Sequence, residues 1–576
     1  MVVLTLLGAT FACGQAGHAQ NTLLTNAATS LINRKAAFLN GWAWQDIEQV
    51  PNYYQGDSDV GTSSIGTAFL DMYNATGSPA YLNAAEEAAN WLVSAQTSAG
   101  WWPDYDNPSS LSPSGPANYG FSSLDDGASG QAIFLYRMYR LTGNPAYETA
   151  ALDGADWLVS YASAPHGQSC PSQQCFWHWW VPSSNGKIVY LGLGSGVAGV
   201  FYGLDKLAQW TGNGIYEEYA LAGAAYEENK ISSTGSTVEY AGANTSSTAF
   251  YDGAAGIAFA YYSLYQHTGT ARWLADANKI MAWVRSQEIA ESSGVVWPHQ
   301  VGGDSPDTAN YPSMAYGNAG IGWAELQAYK ITGASVDLQT AEAAGDYLVV
   351  SEQSQSGGCA WEEPFGTTNY YTSEDEGAAG IGYFLYDLHL ATGTASYNRA
   401  ALAAAKWIQA QAFSDSDGYY WGVNNYVGNG GWQSLKEPSR DWGAAGIGMF
   451  GARLSGGPDD QPRDVAGLTG SSSPSFMLLA SPSSVTVTQG ATGGTSTITV
   501  IDVGGFTDSV TLTASGLPNG VTASFSTNPT TSTSSLTLTA NSSAMTGTAR
   551  LTITGASGGL TANTAITLTI KRARHD

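Results

Sequence analysis

The sequence predicts a mostly α-helical chain, a seven-fold α/α toroid with inner and outer helix rings, followed by a small all-β sandwich. Three observations predict it. A glycine-rich motif recurs seven times with a period of about 60 residues. Each copy except the last leads an apolar run, a Thr-Gly turn or near equivalent, and then an amphipathic run. Past residue 476 the helical periodicity stops, and short alternating runs rich in Thr, Ser, Val and Ile replace it.

The motif is clearest in Glu374-Asp375-Glu376-Gly377-Ala378-Ala379-Gly380-Ile381-Gly382. It recurs at Tyr251–Ile257, Tyr316–Gly322 and Asp441–Gly448, with looser copies from Gly61, Gly127 and Gly196. Residues 22–39, ahead of the first copy, have helical periodicity of their own. In the unit after Gly127, an apolar helix holding Ile133 to Tyr139 runs into Thr142-Gly143-Asn144-Pro145. Gly ends one helix there, and Asn-Pro starts the next. The second helix, Tyr147 to Val159, carries Trp157 near its end, as its counterparts carry Trp91, Trp283 and Trp407. The first helices are apolar on most faces and belong inside; the second carry the charge and belong outside. The seventh motif has no second helix after it, and the segment 22–39 has no first helix before it. Pairing the two completes a seventh hairpin and closes the ring, whereas an open stack would expose two apolar flanks.

This pattern of Gly-x-x-Gly-Ile-Gly, apolar helix, Thr-Gly and amphipathic helix resembles the lanthionine synthetase C-like family of α/α toroids, over about residues 22–455. The resemblance implies the fold. Family enzymes hold zinc at the pore mouth through Cys and His before the late inner-helix glycines. Here those positions are Ala315-Tyr316, Asp375-Glu376 and Asp441-Trp442, so the resemblance does not imply zinc–thiolate chemistry.

The expected domains are a signal peptide at 1–19, the toroid at 20–455, a Gly/Ser/Pro/Asp linker at 456–476 and the β-sandwich at 477–572. The sandwich resembles immunoglobulin-like accessory modules of bacterial secreted enzymes. Few aromatics or charges mark it, so a spacer or attachment role is expected rather than ligand binding. The apolar start with Gly17-His18-Ala19 reads as an export signal, placing the protein outside the cytoplasm, secreted or periplasmic. Cys170 and Cys175 can close a small disulfide loop, and Cys359 is expected as a packed thiol.

The formal net charge of −26 falls on the helical part, since residues 478–576 hold four basic and three acidic side chains. So acidic a surface excludes nucleic acid and anionic lipid as partners, and it disfavours uronate polymers. No run beyond the N-terminus is long enough to span a membrane.

Two sets of residues point to chemistry. Acids stand one or two places before the inner-helix glycine: Asp59, Asp125, Asp126, Asp252, Asp375, Glu376 and Asp441. Each alone suits a helix N-terminus, which favours a capping carboxylate. In a toroid, however, these helix starts share one mouth, and carboxyls at close range divide into acid and base. The catalytic candidates are therefore Asp125, Asp126, Asp252, Asp375, Glu376 and Asp441. The loops after the outer helices are rich in aromatics, suiting sugar rings stacked on indoles beside polar groups. They supply Trp102, Asp104, Trp177, Trp180, Trp297, His299, Trp361, Glu362 and Trp421 as substrate-binding candidates, with Glu239, Asp304 and Glu363 as further loop acids. These Trp residues would equally serve to plug the loops onto the barrel. No nucleophile elbow, His-Glu-x-x-His or phosphate loop is present. No cofactor is expected, although carboxylates at the rim are compatible with a structural Ca²⁺. The expected activity is hydrolysis of a neutral poly- or oligosaccharide by a carboxyl pair. The alternatives are a non-catalytic glycan or peptide binder and a zinc-free relative of the cyclases acting on peptides.

Overall fold

The computed structural model describes residues 19–38, 41–44, 61–103, 121–125, 127–181, 186–241, 243–303, 306–421, 438–457, 475–481, 484–503, 507–558 and 560–572. Two compact units emerge: Met1–His389 with Thr394–Leu468, and Leu390–Gly393 with Thr469–Asp576.

The first unit is helical. Seven helices follow the glycine motifs: α2 (Thr62–Thr76), α4 (Ala128–Thr142), α6 (Val197–Thr211), α8 (Ala254–Thr268), α10 (Asn318–Thr332), α12 (Ala378–Thr392) and α14 (Ala444–Leu454). Between them run α3 (Pro79–Ala95), α5 (Pro145–Tyr161), α7 (Gly214–Glu228), α9 (Ala271–Ser286), α11 (Ser335–Ser351) and α13 (Ala395–Ala410), and α1 (Ala19–Arg34) precedes them all. The Thr-Gly turns behave as read. Gly77, Gly143, Gly212, Gly269, Gly333 and Gly393 all take left-handed φ of 64–71°, ending one helix so that the next can fold back. The glycine-led helices are buried along most of their length, and the partner helices bury one face.

Glycine spacing sets how the glycine-led helices pack. A Cβ on Gly66, Gly322 or Gly382 would meet the ring of Phe134, Phe384 or Phe450 on the next such helix at 2.3–2.4 Å. Gly448 likewise receives Met72 of α2, so the last glycine-led helix lies against the first. Aromatic contacts continue the series, with Tyr202 of α6 against Phe259 of α8 and Phe259 against Trp323 of α10. Helix α1 packs on α14, the pairing expected of the two unmatched segments. It ends at Arg34, though, earlier than its periodicity suggests, and the chain turns into a two-stranded ladder of Ala36–Phe38 with Gly41–Ala43.

Similar short ladders follow α9, α11 and α13, and each delivers a tryptophan beneath the helix just completed. The indole Nε1–H of Trp44, Trp297, Trp361 and Trp421 donates to Leu31, Val284, Leu348 and Ile408, each 13 residues earlier, at 2.7–3.0 Å. Trp102 and Trp177 do the same to Leu92 and Leu158 at 2.8 Å. All six acceptors lie in the last turn of a helix, and those of Leu92, Val284 and Ile408 also accept the backbone N–H of Gln96, Gln287 and Gln411.

Cys170 and Cys175 form the expected disulfide. Cys359, expected as a packed thiol, is itself disulfide-bonded.

The second unit has eight strands among its described residues: β1 (Ser475–Ser481), β2 (Ser484–Thr488), β3 (Thr492–Val503), β4 (Thr511–Ser515), β5 (Val521–Phe525), β6 (Thr533–Ala540), β7 (Gly547–Ser557) and β8 (Leu560–Lys571). They make two four-stranded sheets ordered β1-β3-β6-β5 and β2-β8-β7-β4, antiparallel except for the β2–β8 pair. Alternate residues of both sheets, including Ile498, Leu536 and Leu538 from one and Val485, Leu551 and Leu568 from the other, share one core. Strand β1 begins inside the stretch read as linker.

Candidate functional site

Six helix starts are sewn together by their backbones. The residue two places before each capping glycine donates its N–H to the equivalent carbonyl of another repeat. Asp375 donates to Asp441 (3.2 Å), Ala315 to Asp375 (3.0 Å), Tyr251 to Ala315 (3.2 Å), Gly194 to Tyr251 (2.8 Å) and Asp125 to Gly194 (3.1 Å). Equivalent positions of successive repeats therefore stand side by side.

A second glycine fixes the residue three places before the cap. The carbonyls of Leu193, Phe250, Met314, Glu374 and Arg440 sit 1.8–2.1 Å from where a Cβ would stand on Gly199, Gly256, Gly320, Gly380 and Gly446. Only glycine permits that approach. The column is apolar in four repeats (Leu124, Leu193, Phe250, Met314), but in two it holds Glu374 and Arg440.

Those two exceptions organise the centre. The Arg440 guanidinium, 3% exposed, contacts Asp441 Oδ1 at 2.7 and 2.9 Å and lies 3.6 Å from both Asp125 Oδ1 and Glu374 Oε2. The Tyr251 ring lies 5.8 Å from it, and the Tyr251 hydroxyl donates to Glu374 Oε2 at 2.8 Å. Glu374, Asp375 and Asp441 each bring one carboxylate oxygen within 4.8 Å of the others. Withdrawing so many charges from water is costly, and Arg440 with its hydrogen bonds offsets part of that cost. At Gly194, a Cβ would stand 2.3 Å from Asp125 Oδ2 and 3.2 Å from Asp252 Oδ1, so this glycine leaves room for both carboxylates. Asp252 is exposed and accepts from the Ser195 N–H at 3.3 Å.

Tyr316 lies within electrostatic reach of several of these carboxyls. Burial raises its pKa first, and the charges of Asp375, Glu376, Asp252 and Glu363 raise it further. Burial lifts Glu376 from its ordinary 4.5 to about 7. Glu363, 3% exposed, is pushed well above the usual carboxyl range by burial, with Ser313 opposing and the charges of Glu376 and Asp375 adding to the rise. The Ser313 hydroxyl and N–H are the donors beside Glu363, and neither reaches its oxygens in good hydrogen-bond geometry. The His299 ring packs on Tyr316 and Tyr311 at 5.1 and 5.6 Å. Its Nδ1 lies 3.1 Å from Asp307 Oδ2, which also accepts from the Tyr311 hydroxyl at 2.8 Å. Burial would raise Asp307, but bonds from His299, the Ala309 N–H and Tyr311 outweigh it and lower its pKa.

Of the residues singled out by sequence, the structure gathers Asp125, Asp252, Asp375, Glu376, Asp441 and His299. Asp59, Asp104, Asp126, Asp304 and the side chain of Trp180 lie outside the described residues. The aromatic rim needs correction. Trp102, Trp177, Trp297, Trp361 and Trp421 are 0–4% exposed, with their indole N–H groups spent on helix ends, so they offer no face for a sugar. Glu362 is turned into its own loop, where it accepts from the Gly366 N–H and the Tyr370 hydroxyl. Glu239 accepts from Gln300 at 2.6 Å. Sequence reasoning missed Tyr251, Tyr311, Asp307, Tyr316, Glu374 and Arg440. For Glu374 and Arg440 the cue was present, as charged residues in an otherwise apolar column.

The donor set does not fit the zinc of the lanthionine cyclases. The relevant positions offer carboxylates and a phenol, and Arg440 already places a cation against Asp441. Among the described residues no helix is long and apolar enough to cross a membrane.

No curated protein matches the chain in sequence. Among solved structures, nisin cyclase is 12% identical over 69% of this chain and 88% of its own, with a TM-score of 0.46. A D-mannose isomerase is 13% identical over 60% and 88%, with a TM-score of 0.43. The α-1,6-mannanase GH76A of Salegentibacter sp. HEL1_6 is 12% identical over 68% and 99%, with a TM-score of 0.41. Residues 188–457, from just before α6 to just after α14, match the family model described as lanthionine synthetase C-like protein.

Proposed function

We propose that the seven hairpins close into an α/α toroid whose mouth hydrolyses glycosidic bonds. The pairing of α14 with both α1 and α2 supports closure. One observation carries the activity: around Tyr316, a half-buried carboxyl whose pKa is raised to about 7, Glu376, shares a site with the exposed carboxyl of Asp252. Different environments push two carboxyls into different roles, as glycoside hydrolysis requires. Glu376 protonates the leaving oxygen as the anomeric C–O bond breaks. Asp252 takes the proton of the attacking water. Asp375, Glu374 and Asp441, held around Arg440, stabilise the positive charge that develops on the sugar ring.

Acid or base catalysis contributes about 10²–10⁴-fold, so Glu376→Gln and Asp252→Asn should each lower kcat by that order on whichever glycan of a panel is cut. Product formation unchanged in both variants would refute the assignment. The match to the lanthionine synthetase C-like family favours a second reading, a zinc-free protein acting on peptides, and a cyclisation assay on dehydrated peptides would test it. The Cys170–Cys175 disulfide supports export to an oxidising compartment. The β unit, read as an immunoglobulin-like sandwich, serves as spacer or attachment module.

A further inference from the structure

We propose that this mouth takes a glycan bearing free amino groups, an oligosaccharide of 2-amino-2-deoxyhexose units. The proposal rests on the glycosidase reading of the same site and names its substrate class.

The first argument is charge. The carboxyls around Tyr316 and Arg440 come from four repeats and a loop, and Arg440 is the one guanidinium set among them in the described residues. A neutral sugar leaves that excess uncompensated and a uronate adds to it, whereas a substrate ammonium relieves it. The second argument is Glu363, buried to 3% exposure beside Asp375 and Glu376, where the Ser313 side chain and N–H are the donors at hand and neither closes a well-formed bond to its oxygens. Serine donors held in poor geometry leave acceptor capacity on this carboxyl, and an –NH₃⁺ group brings three donors.

The third argument is a place for the charge next to Asp252. Tyr190 and Tyr240 meet edge to face, with centroids 6.2 Å apart and planes at 80°. A backbone bridge between them and the Leu191 N–H to Glu239 carbonyl bond of 3.0 Å fix the pair. Tyr240 is exposed, and the Tyr190 hydroxyl feels both Asp252 and Glu239. Two phenol rings between two carboxylates make a cation site, because ring faces and carboxylates both attract an ammonium. A lysine side chain would meet the same charges. The carboxyl pair beside this site, however, suits an acetal, which favours the amino sugar.

The test uses the full-length protein and calorimetric binding of four probes: glucosamine oligomers, their N-acetylated counterparts, mannose oligomers and oligolysine. Glucosamine oligomers should bind at least about tenfold more tightly than the acetylated ones, the scale of one charge-assisted hydrogen bond. That preference should shrink as ionic strength rises from about 0.05 to about 0.5 M. It should also fall in Tyr240→Ala and Glu239→Gln. Equal or tighter binding of acetylated or mannose oligomers overturns the proposal, and so does tighter binding of oligolysine. If glucosamine oligomers are selected but no glycan is cut, the hydrolase reading falls while the selectivity stands. If a neutral glycan is cut and glucosamine oligomers are not held, the selectivity falls and the hydrolase reading stands.

Discussion

Replacing Glu376 by Gln should make the helical unit more stable at alkaline pH and leave it nearly unchanged in acid. Burial raises the folded pKa of Glu376 from 4.5 to about 7. The folded state therefore binds this proton more tightly than the unfolded chain does. Below pH ~4.5 both states hold it and no difference arises. Between about 4.5 and 7 the unfolded chain releases the proton while the folded protein keeps it, so stability falls as pH rises. Above about 7 the penalty levels off at about 3 kcal/mol. Partial solvent access makes that an upper figure. Gln keeps the shape and cannot ionise, so the variant should gain up to about 3 kcal/mol over the native protein at pH 8 and almost nothing at pH 4.5. Urea unfolding followed at 222 nm, with native and variant chains compared across that range, reads the difference directly. A stability difference that is flat with pH would mean that Glu376 titrates as an ordinary surface carboxyl, and its assignment as proton donor would fail with it. Activity carries the same signature from the other side, because kcat/KM should decline above about pH 7 as the donor loses its proton.

The tryptophans should prove structural. Trp361→Phe removes the donor to Leu348 and should cost about 1–2 kcal/mol, whereas Trp361→Ala should cost about 3–5 kcal/mol. Neither should change affinity for a bound glycan in titrations; a selective loss of affinity would restore the stacking role. Gly380→Ala should destabilise by about 3 kcal/mol although alanine favours helices by about 1 kcal/mol, because its Cβ would stand 2.0 Å from the Glu374 carbonyl. Thermal melts that show stabilisation would refute that reading of the motif. Opening the Cys170–Cys175 loop by a double Ser substitution should cost only about 2 kcal/mol, since few residues lie between the cysteines. A collapse of the helical unit, seen by circular dichroism, would assign the loop a larger part.

Much of the architecture is legible because the repeat states it several times over. Thr-Gly turns, Asn-Pro starts and glycine spacing each have a local physical reason, and together they locate the helices to within a few residues. The errors fall where no repeat corrects them. Ala36–Phe38 keeps helical periodicity but pairs as a strand with Gly41–Ala43. Ser475–Ser481 carries too little alternation to separate it from the linker, and its strand character comes from pairing with β3. The tryptophans mislead for a different reason. An aromatic loop reads the same whether its rings face a ligand or a helix end, and only the position of a last-turn carbonyl in the folded chain decides between them.

The site follows from the repeat in a further way. A carboxylate before a helix is an ordinary local device, so Asp125, Asp375 and Asp441 are explicable one at a time. The inter-repeat ladder from Asp441 to Asp125 turns these separate positions into columns. Within a column the informative residues are those that break it. Five of the second glycines bring a carbonyl from the same position against the helix start, and neither Glu374 nor Arg440 is needed to satisfy that contact. Leu, Phe and Met do so in the neighbouring repeats, with no charge to bury. Putting an acid and a base into that column adds a desolvation cost that an apolar pair would avoid. The backbone geometry gives no return for it, and the return that remains is electrostatic. Arg440 draws three carboxyls together, while near Tyr316 Asp252 stays exposed and burial raises the pKa of Glu376.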